Sequence, residues 1–260
     1  MTRRETTLLK GVAILMMLFL HLFNTDFKIG LCQIGIDIAG IPLLSLLVRA
    51  ANPVAFFVLL SGYGLYLSYC NGKRNQGKRI VKLYMHYWIT LVIFVIIGYF
   101  VLGETYYPGT WQKVIENVSG WYTSYNAEIW FLFPYCLIAL TSPFLFRWFD
   151  RINAWLLLGV IGVIYFITYL AIYLWGAVYL YSHQLVYMPV LYLNFLFPFV
   201  LGVLLAKYNI VNRCKMEGYG VMPSFIACSC QSMYRYWDCP ASLCNRFCGA
   251  FCPDKALALV

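Results

Sequence analysis

Six apolar runs, each about the length a bilayer core demands, constrain this chain more than any other feature. They fall at about 6–24, 53–70, 83–102, 129–146, 154–176 and 187–206. Of the 260 residues 62% are hydrophobic and only 11% charged, too little polar surface to cover a soluble core of this size. The expected fold is therefore all-α: a polytopic transmembrane helical bundle of about six spans. A further stretch, 29–50, is apolar but broken by Gly, Asp37 and Pro42, and fits a re-entrant or interfacial segment better than a crossing. The basic start and apolar centre of 1–23 resemble a signal peptide. No small-x-small cleavage site follows His21, so the segment is expected to be retained as the first span.

Charge orients the bundle. The formal net charge of +9 admits a nucleic-acid binder, but its distribution fits topology, and no nucleic-acid partner is expected. With the N-terminus inside, the cytoplasmic side holds Arg3, Arg4, Lys10, Lys73, Arg74, Lys78, Arg79, Lys82, Arg147, Arg151, Lys207, Arg213 and Lys215. The outer side holds Lys28, Arg49 and Lys113. Every loop agrees with its neighbour, which predicts a multi-pass protein of the cell (inner or plasma) membrane, in contact with lipid, with its N-terminus cytoplasmic.

The longest expected outer loop, 103–127, carries Tyr106, Tyr107, Trp111, Trp121, Tyr122 and Tyr125. Rings at this depth form an interfacial belt or a surface on which sugar rings stack, and spacing does not separate the two. After about residue 212 the text changes character. Cys214, Cys228, Cys230, Cys239, Cys244, Cys248 and Cys252 crowd an aperiodic segment with no bilayer-length run. The thiols match no standard zinc spacing and have no His beside them, and a disulfide module does not suit a reducing cytoplasmic side. A membrane domain over 1–212 and a non-native tail over 213–260, read out of frame or from an interrupted gene, is the expectation.

Ionisable residues inside a span are costly and usually face a cavity or a partner. Lys10 and His21 both belong to the first span, eleven residues apart, which is about three helical turns. They project from one face, about 16 Å apart along the axis. Singly, Lys10 also fits a side chain snorkelling to the inner headgroups and His21 an interfacial polar residue. No metal site is expected.

Lys10-x10-His21 resembles the first-helix Arg-x10-His motif of the acyltransferase 3 family, membrane O-acyltransferases of extracytoplasmic polysaccharides. NPVAFFVLLSGYGLYLS (52–68) is similar to the family's Phe-Phe…Ser-Gly-Tyr segment, and KRIVKLYMHYW (78–88) to its basic run ending in aromatic residues. NAEIWFLFPYCLIAL (126–140) resembles the later helix that opens with a polar residue and a Trp-Phe-Leu step. The motifs run in order across residues 8 to about 210. Departures are Lys10 and Lys82 where the family has Arg, His86 where it often shows Pro, and the cysteine-rich tail where members continue with further spans.

The resemblance implies transfer of an acyl group, with acetyl-CoA as the donor and no bound cofactor, to a hydroxyl of an extracytoplasmic polysaccharide or glycolipid. His21 would deprotonate the acceptor hydroxyl or carry the acyl group itself. Lys10, Arg79 and Lys82 would hold the donor's phosphates, although Arg79 and Lys82 also fit a purely topological role. Glu128 would orient His21 or bind sugar, or is a plain helix N-terminal acid. Trp121 and Trp130 are candidates for the acceptor side. Ser61 and Gly62 are read as packing residues, and His183 as an exposed polar residue. Two other classes remain open: a transporter using Lys10, His21 and Asp37 as a relay, and an inactive remnant. The transporter reading calls for inverted repeats, and no repeat is found between the halves.

Overall fold

The computed structural model describes residues 1–23, 36–38, 41–73, 75–103, 106–176 and 178–211. The cysteine-rich segment 213–260 lies outside the described residues, as does most of the interrupted stretch before residue 41. Among the described residues six helices are long and apolar enough to cross a membrane. The chain is a multi-pass helical membrane protein.

The first crossing is α1 (Arg3–Leu22). Its start is fixed by a reciprocal cap: Glu5 N donates to Thr2 Oγ1 at 3.3 Å and Thr2 N to the Glu5 carboxylate at 2.8 Å. Asp37–Ile38 (β1) pairs antiparallel with Ile41–Pro42 (β2), and the short α2 (Leu43–Ala50) follows. Asn52, at φ −121° and ψ 73°, stays out of the helical region before α3 (Pro53–Cys70) begins, because a residue preceding proline avoids that region and proline suits a first turn. Asn52 caps α3 by accepting from Ala55 N at 3.2 Å. Next come α4 (Gly77–Leu102), the nine-residue α5 (Trp111–Ser119), α6 (Leu132–Phe149), α7 (Ala154–Trp175) and α8 (Gln184–Lys207). The third crossing starts six residues before the apolar run does, since Lys78, Arg79 and Lys82 lie in its first two turns.

Lipid is as apolar as leucine, so helices in a bilayer associate through close packing and polar contacts. The contact of α3 with α8 shows both. A Cβ on Gly62 would stand 2.2 Å from the Phe199 carbonyl oxygen, and one on Gly202 would stand 2.0 Å from that of Leu59. Only glycine allows the two backbones to approach so closely. Around this seam Val58, Phe146, Phe195, Phe199, Val200 and Val203 are fully buried, and the Phe146 and Phe199 rings stack 5.9 Å apart. Polar pairs tie the outer helices on. Thr141 and Tyr192 hydroxyls join α6 to α8 at 2.8 Å, and Asn194 Nδ2 donates to Thr168 Oγ1 across α8 and α7 at 3.2 Å. At one end of the bundle Tyr66 donates to Asp150 at 2.9 Å, while Lys207 Nζ lies 3.3 Å from the same carboxylate and donates to the Phe149 carbonyl at 3.1 Å. By contrast α1, α4 and α7 leave long rows of Leu, Ile, Val and Phe exposed, the faces expected to meet acyl chains.

Candidate active site

Its sharpest feature lies where the end of α1 meets the turn before α6. α1 packs on α3 through Ala13, which is fully buried against Phe56, Leu59 and Leu60. The amino group of Met1 donates to Tyr63 on the same helix at 2.7 Å. These contacts carry His21 to the far end of α1, where Nδ1 stands 3.6 Å from Glu128 Oε2. Glu128 sits in a single 3-10 turn, Ala127–Ile129, started by Asn126, whose side chain accepts from Glu128 N at 3.1 Å. Both side chains are partly open to the surroundings, with 32% of His21 and 43% of Glu128 exposed, so the pair is reachable by a third molecule. A carboxylate beside Nδ1 favours the tautomer with its proton there and leaves Nε2 as the working nitrogen.

Of the proposed donor-binding cations, Arg79 and Lys82 lie on α4 and Lys10 in the middle turns of α1. Lys10 is exposed on the α1 face it shares with His21. Arg79, in the first turn of α4, donates from Nη2 to Ser68 Oγ on α3 at 3.0 Å, which ties the two helices together. Lys82 is exposed one turn further along. The structure thus pairs His21 with Glu128 and sets Arg79 and Lys82 apart from them on α4.

Trp121 and Trp130 are half-buried in the packing. Trp121 meets Phe133 edge-on at 5.2 Å, Trp130 lies 5.8 Å from Phe195, and both pack against the cluster of Tyr187, Met188 and Leu191. They support the turn that carries Glu128. Ser61 shares a 2.9 Å hydrogen bond with Tyr135, a residue the sequence did not single out. His183 is exposed, with its ring stacked on Tyr179 at 4.0 Å.

Of the segment 103–127, expected as an outer loop, residues 106–127 fold back along α4. Tyr107 packs on Gly98, where a Cβ would come within 2.8 Å of its ring. α5 then runs beside the helix, and three α4 side chains donate to carbonyls at its end. Tyr84 reaches Ser119 O at 2.7 Å, Trp88 reaches Val118 O at 2.9 Å, and Tyr87 reaches Asn117 O. Trp88 lies about 21 Å along the axis from Leu102 at 1.5 Å per residue, so this segment reaches well into the depth of the bundle. Asn117 is fully buried and fixes the turn: Nδ2 donates to Lys113 O at 2.8 Å and Ser124 Oγ at 2.9 Å, and Oδ1 accepts from Tyr125 N at 2.9 Å. Lys113 donates to the Tyr106 carbonyl at 2.9 Å and lies over the Tyr107 and Tyr125 rings, at 5.6 and 5.2 Å. Burial lowers its pKa, and the rings and carbonyl oppose that by favouring the cation. A signal for this fold was available, since three aromatic side chains with polar tips in the middle of one span need partners there.

No curated protein and no solved structure matches the chain. A model of the acyltransferase 3 family, described as an acyltransferase domain, matches residues 5–231 and so runs past residue 212. Covering most of the sequence, that match shows that this multi-pass membrane protein belongs to the acyltransferase 3 family.

Proposed function

We propose that the protein is a membrane O-acyltransferase that moves an acyl group, acetyl in the simplest case, from a cytoplasmic acyl-CoA to a hydroxyl of an extracytoplasmic polysaccharide or glycolipid. The observation that carries this reading is the approach of His21 Nδ1 to Glu128 Oε2 at 3.6 Å. A sugar hydroxyl is a weak nucleophile until a base takes its proton during attack. Glu128 holds the His21 ring with Nε2 toward the acceptor. Nε2 takes the hydroxyl proton as the oxygen bonds to the thioester carbonyl carbon. The C–S bond then breaks, and the CoA sulfur leaves with that proton. Lys10, Arg79 and Lys82 supply positive charge for the donor's phosphates, and lysine acts there as a point charge where arginine would make a fork. The N-terminus is cytoplasmic in this reading, so the cations face the donor's compartment and the His–Glu pair the acceptor's.

The test is His21→Ala in cells whose surface polysaccharide carries ester-linked acetyl groups dependent on this protein. The ester should disappear while the variant stays in the membrane at the wild-type level. Unchanged acetylation with His21→Ala would remove His21 from the chemistry.

A further inference from the structure

We infer that α4 carries a polar track, Arg79–Lys82–His86–Thr90, that seats the phosphates and the amide-bearing arm of the acyl-CoA donor, with His86 as a positioning residue for the arm. This rests on the acyltransferase reading above. The four residues follow one another at steps of three, four and four, so they share one face over about 16 Å of helix. All four are exposed. The face about a third of a turn away is the packed one, with Tyr87 and Leu91 buried and Ile80 and Tyr84 beside them. The remaining side, Val81, Met85 and Val92, is exposed and apolar beyond the first turn, where Lys78 stands, as a lipid-facing side should be. Between Arg79 and Thr90, with Leu83 at its edge, α4 thus exposes a polar side beside an apolar one, and a polar side in hydrocarbon is costly unless something polar occupies it.

The track opens toward α3. Arg79 bonds Ser68 there at 3.0 Å, and on the same α3 face Gly64 has nothing within 4 Å of where a Cβ would sit. α1, which carries Lys10 and His21, packs on the neighbouring face of α3. A lipid phosphate at headgroup depth could meet Arg79 and Lys82. His86 lies about 10 Å further along the helix than Arg79, where a lipid offers only hydrocarbon. A ligand that serves the whole track has phosphates at one end and hydrogen-bonding groups along an arm, as acyl-CoA does. His86 is set up for such an arm. Its Nδ1 lies 2.6 Å from the Lys82 carbonyl, which can only accept, so Nδ1 carries the proton and Nε2 is left to accept from an amide N–H. Thr90 donates to the His86 carbonyl at 3.0 Å and keeps lone pairs for the same arm.

The experiment uses the full chain in phosphatidylcholine nanodiscs, with His86→Cys or, on the apolar side about 120° round the helix, Val92→Cys. Alkylation by N-ethylmaleimide is followed by mass spectrometry of the labelled peptide. Acetyl-CoA should slow labelling of the His86→Cys thiol at least about fivefold and leave the Val92→Cys thiol unchanged. In kinetics, His86→Ala should raise the KM for acetyl-CoA several-fold with kcat within about twofold, and His86→Gln, which can still accept, should restore it; a merely structural role would lower kcat and leave KM in place. Protection by added phosphatidylglycerol in place of acetyl-CoA would make the track a lipid site and overturn the inference. Absence of protection while the wild type still releases CoA from acetyl-CoA would overturn it and leave the acyltransferase reading standing. Absence of both protection and CoA release would remove the two together.

Discussion

Asn117 shows what a single buried amide holds in this protein. Its side chain answers a carbonyl, a hydroxyl and an amide N–H within one turn, so Asn117→Ala removes three hydrogen bonds and leaves the Tyr125 N–H short of its partner. The expected loss is about 2 kcal/mol or more, seen as a lower melting temperature in detergent, with Tyr87→Phe losing less. Glu128→Gln keeps the shape of the site but removes the charge that orients His21. Transfer should fall roughly tenfold or more, while His21→Ala should cost about a hundredfold or more, both measured as acyl ester formed per minute. His21, Lys10 and Glu128 were each legible in the sequence as ionisable residues in or beside a span. That His21 and Glu128 meet was one of the readings the resemblance offered for Glu128, and the sequence could not choose it, because no helical period relates residues so distant in the chain. Trp121 and Trp130 looked like outer aromatics because exposure is invisible in composition, and the structure packs both against α8.

At the scale of elements, the glycine seam between α3 and α8 makes the clearest prediction. Gly62→Ala or Gly202→Ala drives a methyl into a backbone carbonyl, which no rotamer can relieve, so the helices must move apart. The expected cost is about 1–3 kcal/mol, read as a fall in melting temperature with the fraction inserted in the membrane unchanged. Gly64→Ala, which meets nothing within 4 Å, should be close to neutral in the same assay. The crossings were legible because twenty apolar residues in a row have few alternatives in water or lipid. α5 was not legible. Nine residues of mixed polarity carry too short a period to stand out, and its position is decided by Tyr84, Tyr87 and Trp88 on another helix. The basic first turns of α4 were assigned to a loop for a related reason: hydropathy marks where lipid begins, and a helix can begin earlier.

For the whole molecule, the proposed function requires a direction: cations inside, the His–Glu pair outside. Cys70, exposed at the end of α3, should react with a membrane-impermeant maleimide only in inside-out vesicles, and mass spectrometry of the labelled peptide checks it. Labelling of Cys70 in right-side-out vesicles would invert the bundle and separate the pair from its proposed acceptor. The alternation of basic and neutral loops predicts this direction, whereas the fold-back of residues 106–127 along α4 depends on tertiary contacts that composition does not encode. The central claim is that His21 and Glu128 act as one unit in acyl transfer, and a double-mutant cycle on the transfer rate tests it most directly. Wild type, His21→Ala, Glu128→Gln and the double variant would be compared in nanodiscs with acetyl-CoA and a hydroxylated acceptor. Glu128→Gln should slow the wild type and add nothing once His21 is gone. Losses that multiply, or a His21→Ala variant as fast as wild type, would contradict that claim.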